Sequence, residues 1–250
     1  MSVRELSGST AIVSGASRGF GRATAVALAA RGAHVIGVAR SEAPLKELED
    51  ELGHLFTAEV ADVTDPLLPG TLFSRYQPQT VVLIAGAAPA MAPLQEQTWP
   101  NFSRNWDVDV QQVFNFLRHA LTEPLSPGGV VVTMSSGAAL RGSPLSGGYA
   151  GAKATIKFLS SYASSEAQRS SLDLRFVSVL PQLTPATGLG RPAVEAYAKR
   201  AGLSVDAYLD QAGPVLTLDQ AARSIVDLTE DDSYSAPAYV LSAQGLKALD

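Results

Sequence analysis

The sequence predicts an α/β fold in a single domain, a doubly wound central parallel β-sheet flanked by helices on both faces. Short apolar runs alternate with longer amphipathic stretches along nearly the whole chain. A glycine-rich turn stands where the first apolar run gives way to the first amphipathic stretch. The 250 residues, 46% apolar and 17% charged, suffice for one sizeable core.

The elements follow in order. Thr10–Ser14 (TAIVS) is a buried strand rich in small and β-branched residues. Gly21–Arg31 is an Ala-rich helix that Gly32 ends. Ala33–Ala39 is the second strand, Ala43–Leu52 a helix, Leu55–Val60 a strand and Thr80–Ala85 another. A long amphipathic segment runs from Thr98 to Leu121. Strand Gly129–Met134, helix Gly148–Arg169 and strand Leu174–Leu180 come next. Helix Asp219–Leu228 and strand Ala238–Leu241 complete the chain. Strands separated by helices form βαβ units, whose strands run parallel and are covered on both faces. The Pro-, Gly- and Leu-rich stretch between Pro181 and Val215 is too long for an ordinary connection, so 183–215 is expected to be a substrate lid. No linker, repeat or low-complexity tract divides residues 1–250.

Composition narrows the function. The net charge is −5 and no basic block occurs, which argues against nucleic acid or an anionic membrane as partner. Without cysteine there is no disulfide, thiolate metal site or thiol catalysis. His34, His54 and His119 have no metal-ligand spacing, so no metal is expected. No signal core or bilayer-length apolar run occurs, and a cytoplasmic protein acting on a small molecule is the expectation.

The glycine turn reads Ser14-Gly15-Ala16-Ser17-Arg18-Gly19-Phe20-Gly21. Glycines between a strand and a helix let the backbone approach a pyrophosphate, and the helix N-terminus offers it free N–H groups. A Rossmann-type domain binding a dinucleotide is therefore expected. The second strand ends Val38-Ala39-Arg40-Ser41, with no carboxylate at its tip. Arg40, with Arg18 from the glycine turn, suits a 2′-phosphate, which favours NADP(H) over NAD(H). The plainer reading makes both surface charges, with Glu42 partly neutralising Arg40. Asp62, before Val63, either accepts from the adenine amino group or caps a turn.

Tyr149-Ala150-Gly151-Ala152-Lys153 puts a phenol and an ammonium one helical turn apart, about 5–6 Å between Cβ atoms. A fixed cation favours a phenolate, and a phenol so assisted exchanges a proton with a reacting oxygen. Alone, the pair is also what a solvated helix face produces by chance.

With these pieces the chain resembles the short-chain dehydrogenase/reductase family over nearly its whole length. The family's glycine motif corresponds to Gly15, Gly19 and Gly21, with Ser17 and Phe20 between them, and its Tyr-x-x-x-Lys to Tyr149 and Lys153. Its serine lies 13 residues before the tyrosine, which selects Ser136 over Ser135. Asp62 and Val63 match its adenine-contacting position, and its NADP-preferring members carry basic residues where Arg18 and Arg40 stand. The resemblance implies hydride transfer between a nicotinamide and a carbonyl or alcohol. Lys153 would hold the nicotinamide ribose and ease proton release from Tyr149, Tyr149 would be the acid or base, and Ser136 would orient the substrate oxygen. It also implies a homo-oligomer, a dimer or tetramer, joined through the helices near Thr98 and Gly148 and the last strand.

The chain departs from the family at four places. The usual asparagine, whose main-chain carbonyl holds a relay water, is Asp109, which keeps the relay position with a carboxylate side chain. Asn-Asn-Ala-Gly is Leu83-Ile84-Ala85-Gly86, retaining only close backbone approach to the cofactor. Pro-Gly is Pro181-Gln182. The following threonine falls on Ala186, with Thr184 and Thr187 flanking it and Thr187 the preferred carboxamide contact. These departures keep a second hypothesis open: a non-catalytic NADP(H)-binding relative that senses or regulates.

Overall fold

The computed structural model describes residues 4–123 and 125–249. Its centre is an eight-stranded sheet in the order β3-β2-β1-β4-β5-β6-β7-β8. The strands are β1 (Thr10–Ser14), β2 (His34–Ala39), β3 (Phe56–Val60), β4 (Thr80–Leu83), β5 (Gly129–Met134), β6 (Leu174–Pro181), β7 (Ala238–Ser242) and β8 (Gly245–Leu249). All neighbours run parallel except β7 and β8, which pair antiparallel.

Side-chain alternation sorts the strands between two cores. Ala11, Val13, Val35 and Val82 face one side, packing on Ala25 and Leu28 of α1 (Gly19–Ala29), Leu45 and Leu48 of α2 (Glu42–Leu52), and Ile225 of the C-terminal helix. Ile12, Ile36, Val81 and Val131 face the other. There they meet Leu72 and Phe73 of α3 (Leu68–Tyr76). Beyond α4 (Trp99–Asn105), α5 (Gln111–Thr122) adds Val113 and Phe116. After the short α6 (Ala138–Arg141), α7 (Gly147–Arg169) adds Ile156 and Ala163. This is the single doubly wound Rossmann-type domain that the alternation of runs predicts.

Several boundaries differ from expectation. Helix α1 starts at Gly19, inside the glycine turn, and β4 stops at Leu83, before the loop that passes under the cleft. The sequence reading misses α3 because Pro69 and Gly70 interrupt its apolar pattern; the Pro is tolerated in the first turn, where no helical hydrogen bond is lost. It misses β8 because that short edge strand is not buried and carries no apolar alternation. The long amphipathic segment is not one regular helix: between α4 and α5 the residues Trp106–Val110 make a wider π-type turn. The expected lid stretch is largely helical, with α8 (Gly190–Ala201) and α9 (Val205–Ala212). Helix α10 (Leu218–Glu230) follows, opened by a reciprocal cap between Thr217 and Gln220. Among the described residues no helix is long and apolar enough to cross a membrane.

Strand order runs outward in opposite senses from β1 and β4, so the chain changes direction between them. Ligand crevices form beyond the carboxyl ends of strands at such a switch point. The glycine turn after β1, the loop after β4, Ser136 after β5 and Pro181 at the end of β6 all gather there.

Candidate active site

A cleft of about 450 Å³ opens at this switch point. Gly15, Ser17, Arg18, Gly19 and Phe20 line one end, with Arg40, Asp62 and Val63 beside them. Ala85 and Gly86 are also on its wall, and Ser136, Asp109, Tyr149, Lys153, Pro181 and Thr187 line the remainder. Gly21 stands apart: it is buried, and a Cβ there would meet the Gly15 carbonyl oxygen at 2.0 Å. It shapes the turn rather than the cleft surface. Gly15 has φ +72°, and a Cβ on it would lie 2.9 Å from the Ala85 backbone, so the turn and the β4 loop touch main chain to main chain.

The phosphate end is electrically open. Helix α1 begins without a side-chain cap, leaving its first N–H groups for a ligand. Arg18 and Arg40 are exposed and join no ion pair among the described residues, with Glu42 or any other carboxylate. Asp62 accepts from the Thr64 N–H at 3.0 Å and from its hydroxyl at 2.8 Å. These bonds, with Arg40 adding attraction, hold its carboxyl below the ordinary aspartate range. It therefore caps a turn and also lines the cleft. A dinucleotide fits this end: free helix N–H groups, a bare backbone and exposed guanidiniums outside any ion pair among the described residues suit phosphates.

The other end is held by α7. Tyr149 and Lys153 lie in its first turns, and Lys153 Nζ is 5.5 Å from the Tyr149 ring centroid. Lys153 is 4% exposed; its Nζ donates to the Met134 carbonyl at 3.0 Å and meets Asp109 Oδ2 at 3.1 Å. Burial works to discharge this ammonium. The Asp109 carboxylate, the Tyr149 phenol and the hydrogen bond to Asp109 outweigh burial and hold its pKa above the ordinary lysine value. Ser135 donates to the Lys153 carbonyl at 2.7 Å and is committed to anchoring α7. Ser136 is half-buried on the cleft wall, with Oγ accepting from the Ala138 N–H at 3.2 Å. It thus closes the strand end and keeps its hydroxyl proton available. Thr184 is buried, donating to the Leu216 carbonyl at 2.6 Å, whereas Thr187 reaches toward Gly19.

Two residues that the sequence reading passed over hold the loop after β4. Asn105 Nδ2 donates to the Ala87 carbonyl at 2.8 Å, and Gln112 Nε2 donates to the Ala85 carbonyl at 3.1 Å. Ser14 Oγ accepts from the Ile84 and Ala85 N–H groups. Bonds that Leu83 and Ile84 cannot make are therefore supplied by β1 and by the α4–α5 segment. The available signal was that Asn105, Asp109 and Gln112 share one helical face at spacings of four and three. A larger hollow of about 620 Å³, lined by Phe73, Gln77, Leu125 and Asp173 among others, lies at the opposite end of the sheet and gathers no acid–base group comparable to Tyr149 and Lys153.

A family model described as short chain dehydrogenase matches residues 9–198. The chain belongs to the short-chain dehydrogenase family. Curated relatives of this short-chain dehydrogenase include an NADPH-dependent pterin aldehyde reductase of Arabidopsis thaliana, 33% identical over 159 residues, 60% of this chain and 66% of the relative. A hydroxynaphthalene reductase-like protein, Arp2, of Metarhizium majus is 34% identical over 170 residues, 64% of this chain and 63% of the relative. A 7beta-hydroxysteroid dehydrogenase of Mediterraneibacter gnavus is 26% identical over 252 residues, 93% of this chain and 96% of the relative. The chain thus spans slightly under two thirds of the first two relatives and nearly all of the third.

Proposed function

We propose that this short-chain dehydrogenase is an NADP(H)-dependent oxidoreductase that interconverts a carbonyl and an alcohol. The observation that carries the reading is convergence: Ser136, Tyr149 and Lys153 line the same cleft as the glycine turn and the two unpaired arginines. A bound nicotinamide would supply the hydride for the carbonyl carbon, or accept it from the alcohol carbon in reverse. Arg18 and Arg40 would hold the 2′-phosphate, and the N-terminus of α1 would hold the pyrophosphate. Lys153 holds ribose hydroxyls and favours proton release from Tyr149. Tyr149 protonates the carbonyl oxygen, or takes the proton from the alcohol in reverse. Ser136 donates a hydrogen bond to that oxygen and fixes its position.

The names of the three relatives share a fused-ring substrate, and exposed Leu183 gives the cleft an apolar lip. A ketone or aldehyde on a medium-sized apolar ring system is the substrate class we infer. The segment 183–215, carrying α8 and α9, is its lid. We further infer a homo-oligomer: Phe114 on α5 and Phe158 and Tyr162 on α7 are exposed large apolar side chains on helices that pack together.

A screen of ring ketones, aldehydes and alcohols with NADPH and NADH tests the reading. Turnover with NADPH exceeding that with NADH, lost in Tyr149→Phe, is the expected result. Tight NADPH binding with no turnover across the panel would replace it with the regulatory alternative.

A further inference from the structure

The Asp109 carboxylate sits in a built pocket of its own. It is 1% exposed. Oδ2 lies 3.1 Å from Lys153 Nζ, Oδ1 accepts from the Ala87 N–H at 2.8 Å, and the Asn105 amide is 3.4 Å from both oxygens. Room is made for it on the opposite wall: a Cβ on Gly86 would fall 2.8 Å from Oδ2. The π-type turn Trp106–Val110 carries the residue, and such a wide turn changes which side chain faces a neighbouring helix. Here the one that faces α7 is an acid.

We propose that Asp109 is a positioning residue that acts through its side chain, as the counter-ion that fixes the buried Lys153 and keeps it charged beside the Tyr149 phenol. The inference rests on the roles given above to Tyr149 and Lys153. It differs from a role for the backbone carbonyl of Asp109, which any residue supplies.

The charges around the pair are few. On elements packed against α7, Arg104 of α4, Asp107 of the π-type turn, Arg118 of α5 and Arg141 of α6 are all exposed. His119 of α5 is turned toward Gly70 and Glu123, and Arg175 of β6 binds the Leu228 and Tyr234 carbonyls. The groups that act on Lys153 are Asp109 and Tyr149. An ammonium beside a phenol favours the phenolate, and the Asp109 carboxylate keeps that ammonium charged against the burial that would discharge it.

The test is an ultraviolet titration of phenolate in the ligand-free protein. Wild type and Asp109→Asn are each read against their own Tyr149→Phe partner, so that the difference isolates Tyr149. The expected result is a Tyr149 signal in Asp109→Asn displaced toward higher pH, because a lysine discharged by burial no longer favours the phenolate. Coincident titrations, or displacement toward lower pH, would overturn the proposal. Asp109→Ser is a second removal of the charge; if neither charge-free variant folds by circular dichroism, the carboxylate is a structural keystone and the proposal fails. The titration needs neither cofactor nor substrate. A shifted titration with no turnover in the carbonyl screen refutes the proposed function alone, and turnover with coincident titrations refutes this inference alone.

Discussion

At the residue scale, the division of labour between neighbouring side chains decides the chemistry. Ser135 and Ser136 are adjacent and chemically alike, yet one anchors the backbone of α7 and the other faces the cleft. Ser136→Ala is expected to lower kcat by about 10²-fold, measured as NADPH oxidation with the best carbonyl of the panel, while Ser135→Ala lowers thermal stability first. Tyr149→Phe is expected to cost about 10²–10⁴ in kcat with little change in NADPH affinity, read by steady-state kinetics and by quenching of protein fluorescence. At the other end of the cleft, Arg40→Ala is expected to remove a charge-assisted contact to a 2′-phosphate, of about 1.5–3 kcal/mol. Its KM for NADPH should rise about tenfold or more while that for NADH hardly moves. Equal loss with both cofactors would mean that Arg40 is a surface charge.

At the element scale, helices supply what local motifs lack. The sequence reading found the glycine turn, the tyrosine–lysine pair and the serine because each is a short pattern of fixed spacing. It did not find how the β4 loop is held, because Asn105 and Gln112 reach it from 18 and 27 residues away along the chain. Such contacts follow from how α5 packs on the sheet, which short-range pattern does not encode. The α3 helix and the β8 edge were hidden for the converse reason: tertiary packing and a tight turn overrode weak local signals. Helix α10 offers a clean test of an element held by its end. Thr217→Ala breaks the reciprocal cap with Gln220 and should cost about 1 kcal/mol. A fall in Tm of roughly 2–4 °C with unchanged kinetics is the expected result.

At the scale of the whole molecule, the doubly wound architecture was legible because alternating strands and helices admit few arrangements. Oligomerisation is less so, since an apolar helix face reads the same whether it meets another helix of its own chain or of a partner. Phe158 is 64% exposed on α7, close to Tyr162 at 5.9 Å between ring centroids. Phe158→Glu is expected to shift the protein to a smaller species in light scattering; an unchanged mass would remove this face from the assembly. The buried ion pair also shapes the response to alkali. Because the folded state holds Lys153 above its ordinary value, its contribution is fully present below about pH 10.4. It is lost as pH rises through the folded value, so alkaline unfolding should begin earlier in Asp109→Asn.

The wide turn at Trp106–Val110 has one further consequence. Trp106 looks outward, 39% exposed, and packs beside Gly151, between the tyrosine and the lysine on α7. Three residues later the same turn carries Asp109 inward to Lys153. One five-residue turn thus carries both a surface indole and a buried carboxylate, so a change that resets the width of this turn moves both at once.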